Sequence, residues 1–204
     1  MGEPIGAGDG DVSGGFAGYF TDLVHAAQQG DEDAFRAVYR RLTPDLLRYT
    51  TVIVGQDAED VVAETWLQIS RDLPRFAGDG PAFRRFALAV ARNRARDLHR
   101  RRGRRAVEIT TPGAEIPEPR TPRRGGAQDT AELVGTELST KEALALIATL
   151  PAPQAEAVIL RVVLDLDTRS TARILGKRPG AVAMALSRGL KRLADRYGDE
   201  RPDA

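Results

Sequence analysis

Apolar residues recur every three or four positions from residue 35 to residue 53, which is the repeat of one face of an α-helix. The series comprises Phe35, Val38, Leu42, Leu46, Tyr49 and Ile53. Asp31 stands where such a helix needs an N-cap, and Gly55 breaks the pattern. We therefore expect one helix here, which Pro44 either kinks or splits in two.

Two further helices follow with the same period. The first should run to about Asp72 with Asp57 as its cap, and its inward positions are Ala58, Val62, Thr65 and Ile69. A loop with Pro74 and residues 78–81 separates it from a long helix over about residues 82–102. The apolar side of this long helix comprises Phe83, Phe86, Ala87, Val90 and Leu98. A separate stripe comprises Arg85, Arg92, Arg96 and Arg100.

Two stretches lack any period. Residues 1–18 hold seven glycines and are expected to be disordered, with helical patterning from about Tyr19. Residues 106–135 contain four prolines and a Gly-Gly pair, which indicate an extended linker. The chain is thus predicted to be all-α, with small helical domains at residues 19–105 and 136–199 joined by a flexible tether.

The second domain ends in two helices joined by a short turn. Asp167 is placed to cap a helix over residues 168–175, and Gly176 suits the left-handed residue that ends it. Pro179 opens a helix to about Tyr197, whose inner face is predicted to be Val182, Leu186, Leu190 and Leu193. This is the pattern of a helix-turn-helix, although any hairpin of two helices shares it.

The net charge is only +1, but acidic and basic residues are concentrated in different parts of the chain. Residues 1–80 carry 14 acids and 6 bases, whereas residues 84–105 carry ten arginines and one acid, Asp97. The arginine-rich stretch should bind polyanions by releasing their counterions, and the acidic part suits a basic protein partner. A second basic set surrounds the helix-turn-helix and comprises Lys177, Arg178, Arg188, Lys191, Arg192 and Arg196.

Three sequence blocks, in this order, resemble the sigma factors of the extracytoplasmic-function group of bacterial RNA polymerase. Residues 57–66 (DAEDVVAETW) resemble the helix of this group that binds polymerase. Residues 75–79 with residues 91–105 are similar to the promoter-melting helix and its preceding loop. Residues 150–193 resemble the C-terminal helix-turn-helix. The resemblance implies a sigma factor that is not an enzyme, needs no cofactor and acts in the cytoplasm.

The resemblance also implies partners and roles. Core RNA polymerase, through its β′ and β subunits, would bind Asp57, Glu59, Asp60, Glu64 and Trp66. The alternative for these residues is complementation of the helix dipole plus a tryptophan in the core. Loop residues from Phe76 to Gly80, including Asp79, would hold a base flipped out of promoter DNA. An anti-sigma protein is expected to clamp both domains.

Promoter DNA would contact two basic surfaces. The opened strand would follow Arg84, Arg85, Arg92, Asn93, Arg96 and Arg100, mainly through phosphates. Asn93 is either a base-reading residue or an ordinary solvated one. Upstream duplex DNA would contact Lys177, Arg178, Arg188, Lys191 and Arg192.

Departures from the family pattern bear on DNA recognition. Phe86 replaces a tryptophan common in the melting helix, and Arg169 and Ser170 replace acids. Residues 183–185 (AMA) replace polar residues on the recognition helix. Short apolar side chains make no bidentate base contacts, so upstream recognition should be narrower, move toward Lys177 and Arg178, or be replaced partly by protein contacts.

Rival functions find less support. A DNA-binding regulator that never binds polymerase leaves the acidic helix unexplained, and a protein-only adaptor leaves the ten arginines unexplained. Neither His25 nor His99 lies in a metal-ligand or nucleophile–base pattern, which disfavours a nuclease. A carboxylate metal site from Asp57, Asp60 and Glu64 lacks ligands from a second helix. The absence of cysteine excludes disulfides and is compatible with a reducing cytoplasm.

Overall fold

The computed structural model describes the backbone of residues 12–109 and 133–199, and the side chains of residues 18–102 and 140–196. Within these ranges the chain is helical and has no strand, which confirms the predicted all-α class. The helices are α1 Val12–Gln28, α2 Glu32–Val54, α3 Ala58–Asp72, α4 Gly80–Ile109, α5 Leu133–Ala148, α6 Ala152–Val158, α7 Thr168–Leu175 and α8 Pro179–Asp199. Short 3₁₀ turns at Gly55–Asp57 and Leu73–Arg75 precede and follow α3, and a π-helical turn at Ile159–Val163 continues α6.

The first four helices form a bundle around a core of large apolar side chains. Its fully buried members include Val24, Val38, Leu46, Ile69 and Phe83. The helix α1 begins at Val12, earlier than the sequence pattern indicated, because turns added to a helix that is already packed cost little. The remaining residues of the glycine-rich tail, 1–11, lie outside the described part, as do residues 110–132 of the predicted linker.

Local signals account for most of the helix boundaries. The Asp31 carboxylate accepts hydrogen bonds from the backbone N–H groups of Asp33 and Ala34 at 2.9 Å, so its predicted cap is confirmed. The helix α2 continues through Pro44 without splitting. Asp57 was expected to cap α3, but this prediction is wrong, since its side chain caps no N–H group there and pairs instead with Arg102.

The second half builds the helix-turn-helix as the sequence predicted. Asp167 caps α7 by accepting from the Ser170 N–H at 2.9 Å, and Gly176 adopts the left-handed conformation, with φ 60° and ψ 38°. The prediction that Leu190 lies on the inner face of α8 is wrong, because this residue is 43% exposed. Gly189 takes the inward position instead, and a β-carbon added to it would lie 2.8 Å from Cγ2 of Val158.

The two halves pack against each other. In this arrangement α2 contacts α5 and α6, while α4 contacts α7. Their buried side chains form one continuous apolar cluster, in which Leu46 and Phe83 of the first half join Leu160 and Ile174 of the second. The closed arrangement therefore buries parts of α2 and α4 that a freely tethered pair of domains would leave in solvent.

Candidate functional site

The outer face of α3 is acidic and open to solvent. Glu59, Asp60 and Glu64 are exposed, and none forms an ion pair with any side chain that the structure describes. Leu67 lies one turn beyond Glu64 on the same helix and is 59% exposed. This face of α3 therefore combines several negative charges with one exposed apolar side chain. Leu67 is not among the binding residues predicted from the sequence.

Trp66 is buried in the bundle and is not exposed with these acids. The residue is 7% exposed, and its ring centre lies 4.7 Å from that of Tyr39 and 6.0 Å from that of Phe35. Its indole N–H donates to the Thr43 hydroxyl at 3.1 Å. Trp66 therefore packs α3 against α2, so it is not part of the exposed acidic face with which the sequence grouped it.

Asp57 is also set apart from those acids. One of its carboxylate oxygens accepts from Arg102 at 2.6 Å, and the side chain is 18% exposed. This pair joins the start of α3 to the distal end of α4.

The loop between α3 and α4 is held from inside by an aromatic cluster. The Phe76 ring packs 5.0 Å from Phe83 and 5.5 Å from Phe86, measured between ring centres. Phe86 thus keeps the packing expected of an apolar replacement for tryptophan. Asp79 is exposed, and its carboxylate accepts from the Ala82 N–H at 2.7 Å, so it caps the first turn of α4.

Both ends of this loop are fastened to α1. The Gln28 side-chain amide donates to the carbonyl of Leu73 at 3.0 Å and to that of Phe76 at 2.6 Å. At the other end, the Gly80 N–H donates to the Thr21 hydroxyl at 2.9 Å. A β-carbon at Gly80 would lie 2.6 Å from the Phe20 ring, so only glycine permits this close approach.

The outer part of α4 presents exposed polar groups. Asn93 and Arg96 are exposed, and Arg100 is exposed while paired with Asp97 at 2.7 Å. Arg94 falls on the apolar side of the helical period, and its guanidinium reaches Gln68 of α3 at 2.6 Å. The exposed groups are the ones that a strand of nucleic acid can reach without rearrangement.

The inner part of the arginine stripe is covered by the second half. Arg92 is only 8% exposed in its side chain, and its Nε donates to Glu156 at 2.6 Å. Arg84 donates to Asp45 at 2.9 Å and to the carbonyl of Leu164 at 2.8 Å. Arg85 is half-buried. The expectation that Arg92 is free for phosphates therefore does not hold in the closed arrangement.

Tyr49 completes the polar cluster around Glu156. Its hydroxyl donates to the same carboxylate oxygen at 3.2 Å, from a fully buried position on α2. Burial, and then the adjacent Glu156 carboxylate, raise the pKa of the Tyr49 hydroxyl well above its ordinary value, so it remains a donor.

The basic groups of the helix-turn-helix are exposed. Lys177 and Arg178 lie in the turn before α8, and the others follow along that helix at Arg188, Lys191 and Arg192. Met184 stands among them and is 55% exposed. The helix thus offers cations at both ends of an apolar patch.

A cleft of about 380 Å³ lies between the two halves. Arg96 and His99 line it from α4, Lys177 lines it from the turn before α8, and the Arg92–Glu156 pair lies in its wall. The structure therefore brings together two basic groups, Arg96 and Lys177, that the sequence assigned to separate surfaces.

Family comparisons match both halves of this geometry. The model described as Sigma-70 region 2 matches residues 35–105, and that described as Sigma-70, region 4 matches residues 140–193. The ECF RNA polymerase sigma factor SigD of Mycobacterium tuberculosis is 33% identical over 180 residues, covering 85% of this chain and 81% of SigD. The chain belongs to the ECF RNA polymerase sigma factors. It is an alternative sigma factor that directs transcription initiation, and this family is not a class of enzymes.

A second relative supports the family, and two solved structures share the fold. The sigma factor ShbA of Streptomyces griseus is 33% identical over 84% of this chain and 91% of its own length. The same fold occurs in CnrH in complex with the cytosolic domain of CnrY, with a TM-score of 0.62, 19% identity, and coverage of 89% and 99% of the two chains. RpoE of Bartonella quintana with the anti-sigma factor NepR gives a TM-score of 0.60, 21% identity, and coverage of 82% and 98%.

The assignment gives the described elements their family labels. Region 2 of this sigma factor spans α2, α3, the aromatic loop and most of α4, while region 4 spans the last turns of α5 through most of α8. The helix α1, which fastens the loop, precedes the matched range. No helix in the described ranges is long and apolar enough to cross a membrane.

Proposed function

We propose that the outer face of α3 is the surface through which this sigma factor binds the β′ subunit of core RNA polymerase. The observation that carries the proposal is the exposed row of carboxylates that no described side chain neutralises, with Leu67 beside it. Charged groups at an interface guide association, and burial of an exposed apolar side chain adds affinity. The residues of this surface are Glu59, Asp60, Ala63, Glu64 and Leu67.

Opened promoter DNA binds the loop and the outer part of α4. A flipped base meets the segment from Phe76 to Asp79, which the aromatic cluster and Gln28 hold in one conformation. The strand then continues along Asn93, Arg96 and Arg100, which are exposed on one helix. Arg84, Arg85 and Arg92 extend this surface once the second half has moved away.

Duplex DNA upstream binds the helix-turn-helix. Lys177 and Arg178 precede the N-terminus of α8, the end that enters a major groove in such motifs. Arg188, Lys191 and Arg192 supply phosphate contacts further along the helix. Met184 is suited to an apolar contact such as a thymine methyl group.

An anti-sigma protein would compete with these partners. One of the similar structures is a sigma factor bound to an anti-sigma factor, and both halves of the present chain expose surfaces that such a protein would cover. This sigma factor would act in the cytoplasm, where bacterial polymerase meets the chromosome. Co-purification from cells, followed by competition against core polymerase, tests for the inhibitor.

Binding measurements separate the two proposed DNA surfaces. Replacing Arg96 and Arg100 with alanine should weaken binding to pre-melted promoter DNA and make its salt dependence shallower, because fewer counterions are released. Replacing Lys177 and Arg178 should mainly weaken binding to upstream duplex DNA. Arg36→Ala, an exposed site on α2, is the control. Equal effects of both pairs on both DNAs would contradict the assignment.

A further inference from the structure

The Arg92 guanidinium has all of its described hydrogen bonds inside the protein. Nε donates to Oε1 of Glu156 at 2.6 Å, and Nη2 lies 3.5 Å from Oε2 of the same carboxylate. Nη1 donates to the carbonyl of Ile174 at 3.3 Å. All of these acceptors belong to region 4, whereas Arg92 belongs to region 2. A carboxylate facing a guanidinium side-on uses the geometry by which arginine also holds a phosphate.

We propose that this sigma factor inhibits itself by closing region 4 over region 2, with the Glu156 carboxylate taking the place of a DNA phosphate on Arg92. The inference rests on the proposed DNA role of α4. Glu156 acts as an internal competitor, so Arg92 can hold either region 4 or the promoter strand. Binding of DNA to the inner stripe then requires that the two halves separate.

A second arginine of α4 also contacts region 4. Arg84, two turns before Arg92, donates to the region 4 carbonyl of Leu164 at 2.8 Å. Region 4 thus contacts the arginines of α4 through the Glu156 carboxylate and the carbonyls of Leu164 and Ile174, while Arg96 and Arg100 remain exposed.

The charge of Glu156 makes closure conditional. If that charge is removed, closing would bury the Arg92 cation without a counter-ion, which is strongly unfavourable. The open population then rises, and the apparent affinity for a ligand that binds only the open form rises with it. Core polymerase and promoter DNA would favour the open form in the same way, because each binds it better than the closed form.

Closure can be followed by energy transfer in the full chain, which has no cysteine. Dyes are attached through Ser70→Cys on α3 and Ser187→Cys on α8, both exposed positions. Glu156→Gln should lower the transfer efficiency, and it should tighten binding to a pre-melted promoter fragment by about tenfold, a common size for coupling of this kind. Glu142→Gln removes an equal charge from an exposed site in the same half and should change neither property by a comparable amount.

Exchanging the two charges distinguishes a specific Arg92–Glu156 contact from a general loss of packing between the two halves. Arg92→Glu combined with Glu156→Arg should restore the transfer efficiency that Glu156→Gln loses, without any gain in DNA binding. Tyr49→Phe removes one hydrogen bond to the carboxylate and should open the chain less, in the same direction. Thermal unfolding identifies any variant that fails to fold, and Tyr49→Phe then carries the test.

Two outcomes would overturn the proposal. In one, Glu156→Gln leaves the energy transfer unchanged. In the other, Glu156→Gln gains no more DNA affinity than Glu142→Gln, although Arg96→Ala weakens DNA binding as expected. Failure of the proposed DNA surface has a different signature, since energy transfer is measured without DNA. In that case Glu156→Gln would still open the chain, while Arg96→Ala would leave DNA binding unaltered.

Discussion

The amide of Gln28 at the end of α1 lies 2.6 Å from the carbonyl of Phe76, 48 residues further along the chain. Gln28→Ala should release the loop that is proposed to receive the flipped base. Loss of its two hydrogen bonds should lower the free energy of unfolding by about 1–2 kcal/mol. Open-complex formation at a duplex promoter should fall by up to about tenfold, while affinity for core polymerase stays unchanged.

Gln29→Ala at the neighbouring exposed position is the matched control. Potassium permanganate reactivity of unpaired thymines measures opening, and a pre-melted promoter should recover part of the loss. If Gln28→Ala forms open complexes as well as Gln29→Ala does, the loop does not depend on α1.

Leu67→Ala should weaken polymerase binding with little effect on folding. The side chain is 59% exposed, so its removal should change the free energy of unfolding by less than about 0.5 kcal/mol. Burial of a leucine at an interface contributes about 1–2 kcal/mol, so the dissociation constant should rise roughly 5- to 30-fold. Leu190→Ala removes an exposed leucine from α8 and should leave polymerase affinity unaltered. Equal affinities for the two variants would remove Leu67 from the interface.

Gly189 and Gly180 should respond to alanine with opposite signs, although both lie in α8. A β-carbon at Gly189 would lie 2.8 Å from the buried Val158 side chain, and overpacking of this kind typically costs about 1–3 kcal/mol. At Gly180 nothing lies within 4 Å, so alanine should stabilise the helix by up to about 1 kcal/mol. Chemical denaturation measures both changes, and Val158→Ala should relieve the strain of Gly189→Ala. A stabilising Gly189→Ala would show that α6 and α8 are not in close contact.

Asp167 should make the helix-turn-helix sensitive to acid. Hydrogen bonds from the side chain and backbone of Ser170 hold the pKa of Asp167 below its ordinary value of about 3.9, and the charge of Arg85 acts in the same direction. A lowered pKa means that the ionised carboxylate stabilises the fold above the unfolded pKa, and that this stability is lost as pH falls through the folded pKa.

Asp167→Ala removes this cap and should cost about 0.5–2 kcal/mol at neutral pH. The difference from the unsubstituted chain should shrink as the pH falls below about 4, where the carboxylate gains a proton. Denaturation midpoints across that range provide the measurement. A difference that is constant or grows toward low pH contradicts the assignment of the stability to the ionised form.

Most helix boundaries of this protein can be predicted from neighbouring residues in the sequence, whereas its polar contacts between distant residues cannot. Asp31 and Gly176 act within one turn of themselves, so residue type and spacing sufficed to predict their roles. The spacing of apolar residues also predicted most of the inner face of α8, but it placed Leu190 on that face where the structure has Gly189. A leucine has the higher hydrophobicity, yet only a glycine fits against Val158.

The polar contacts that shape the candidate site join residues far apart in sequence. Arg92 and Glu156 are 64 residues apart, and no periodic pattern pairs an arginine of one domain with a glutamate of another. The same holds for Asp57 with Arg102, where short-range reasoning favoured a helix cap. Leu67 escaped notice because a single exposed leucine is common, and only its neighbours on the folded surface give it meaning.

Run-off transcription with core RNA polymerase tests the central claim most directly. A library of promoter fragments is transcribed with core enzyme alone, with this sigma factor, and with its Asp60→Arg, Glu64→Arg variant, whose substitutions lie on the exposed face of α3. We predict discrete transcripts that depend on the sigma factor and are lost with the variant, although the variant folds with a stability cost of about 0.5 kcal/mol or less. Transcripts of equal strength with the variant, or none with the unsubstituted chain at any promoter, would contradict the account.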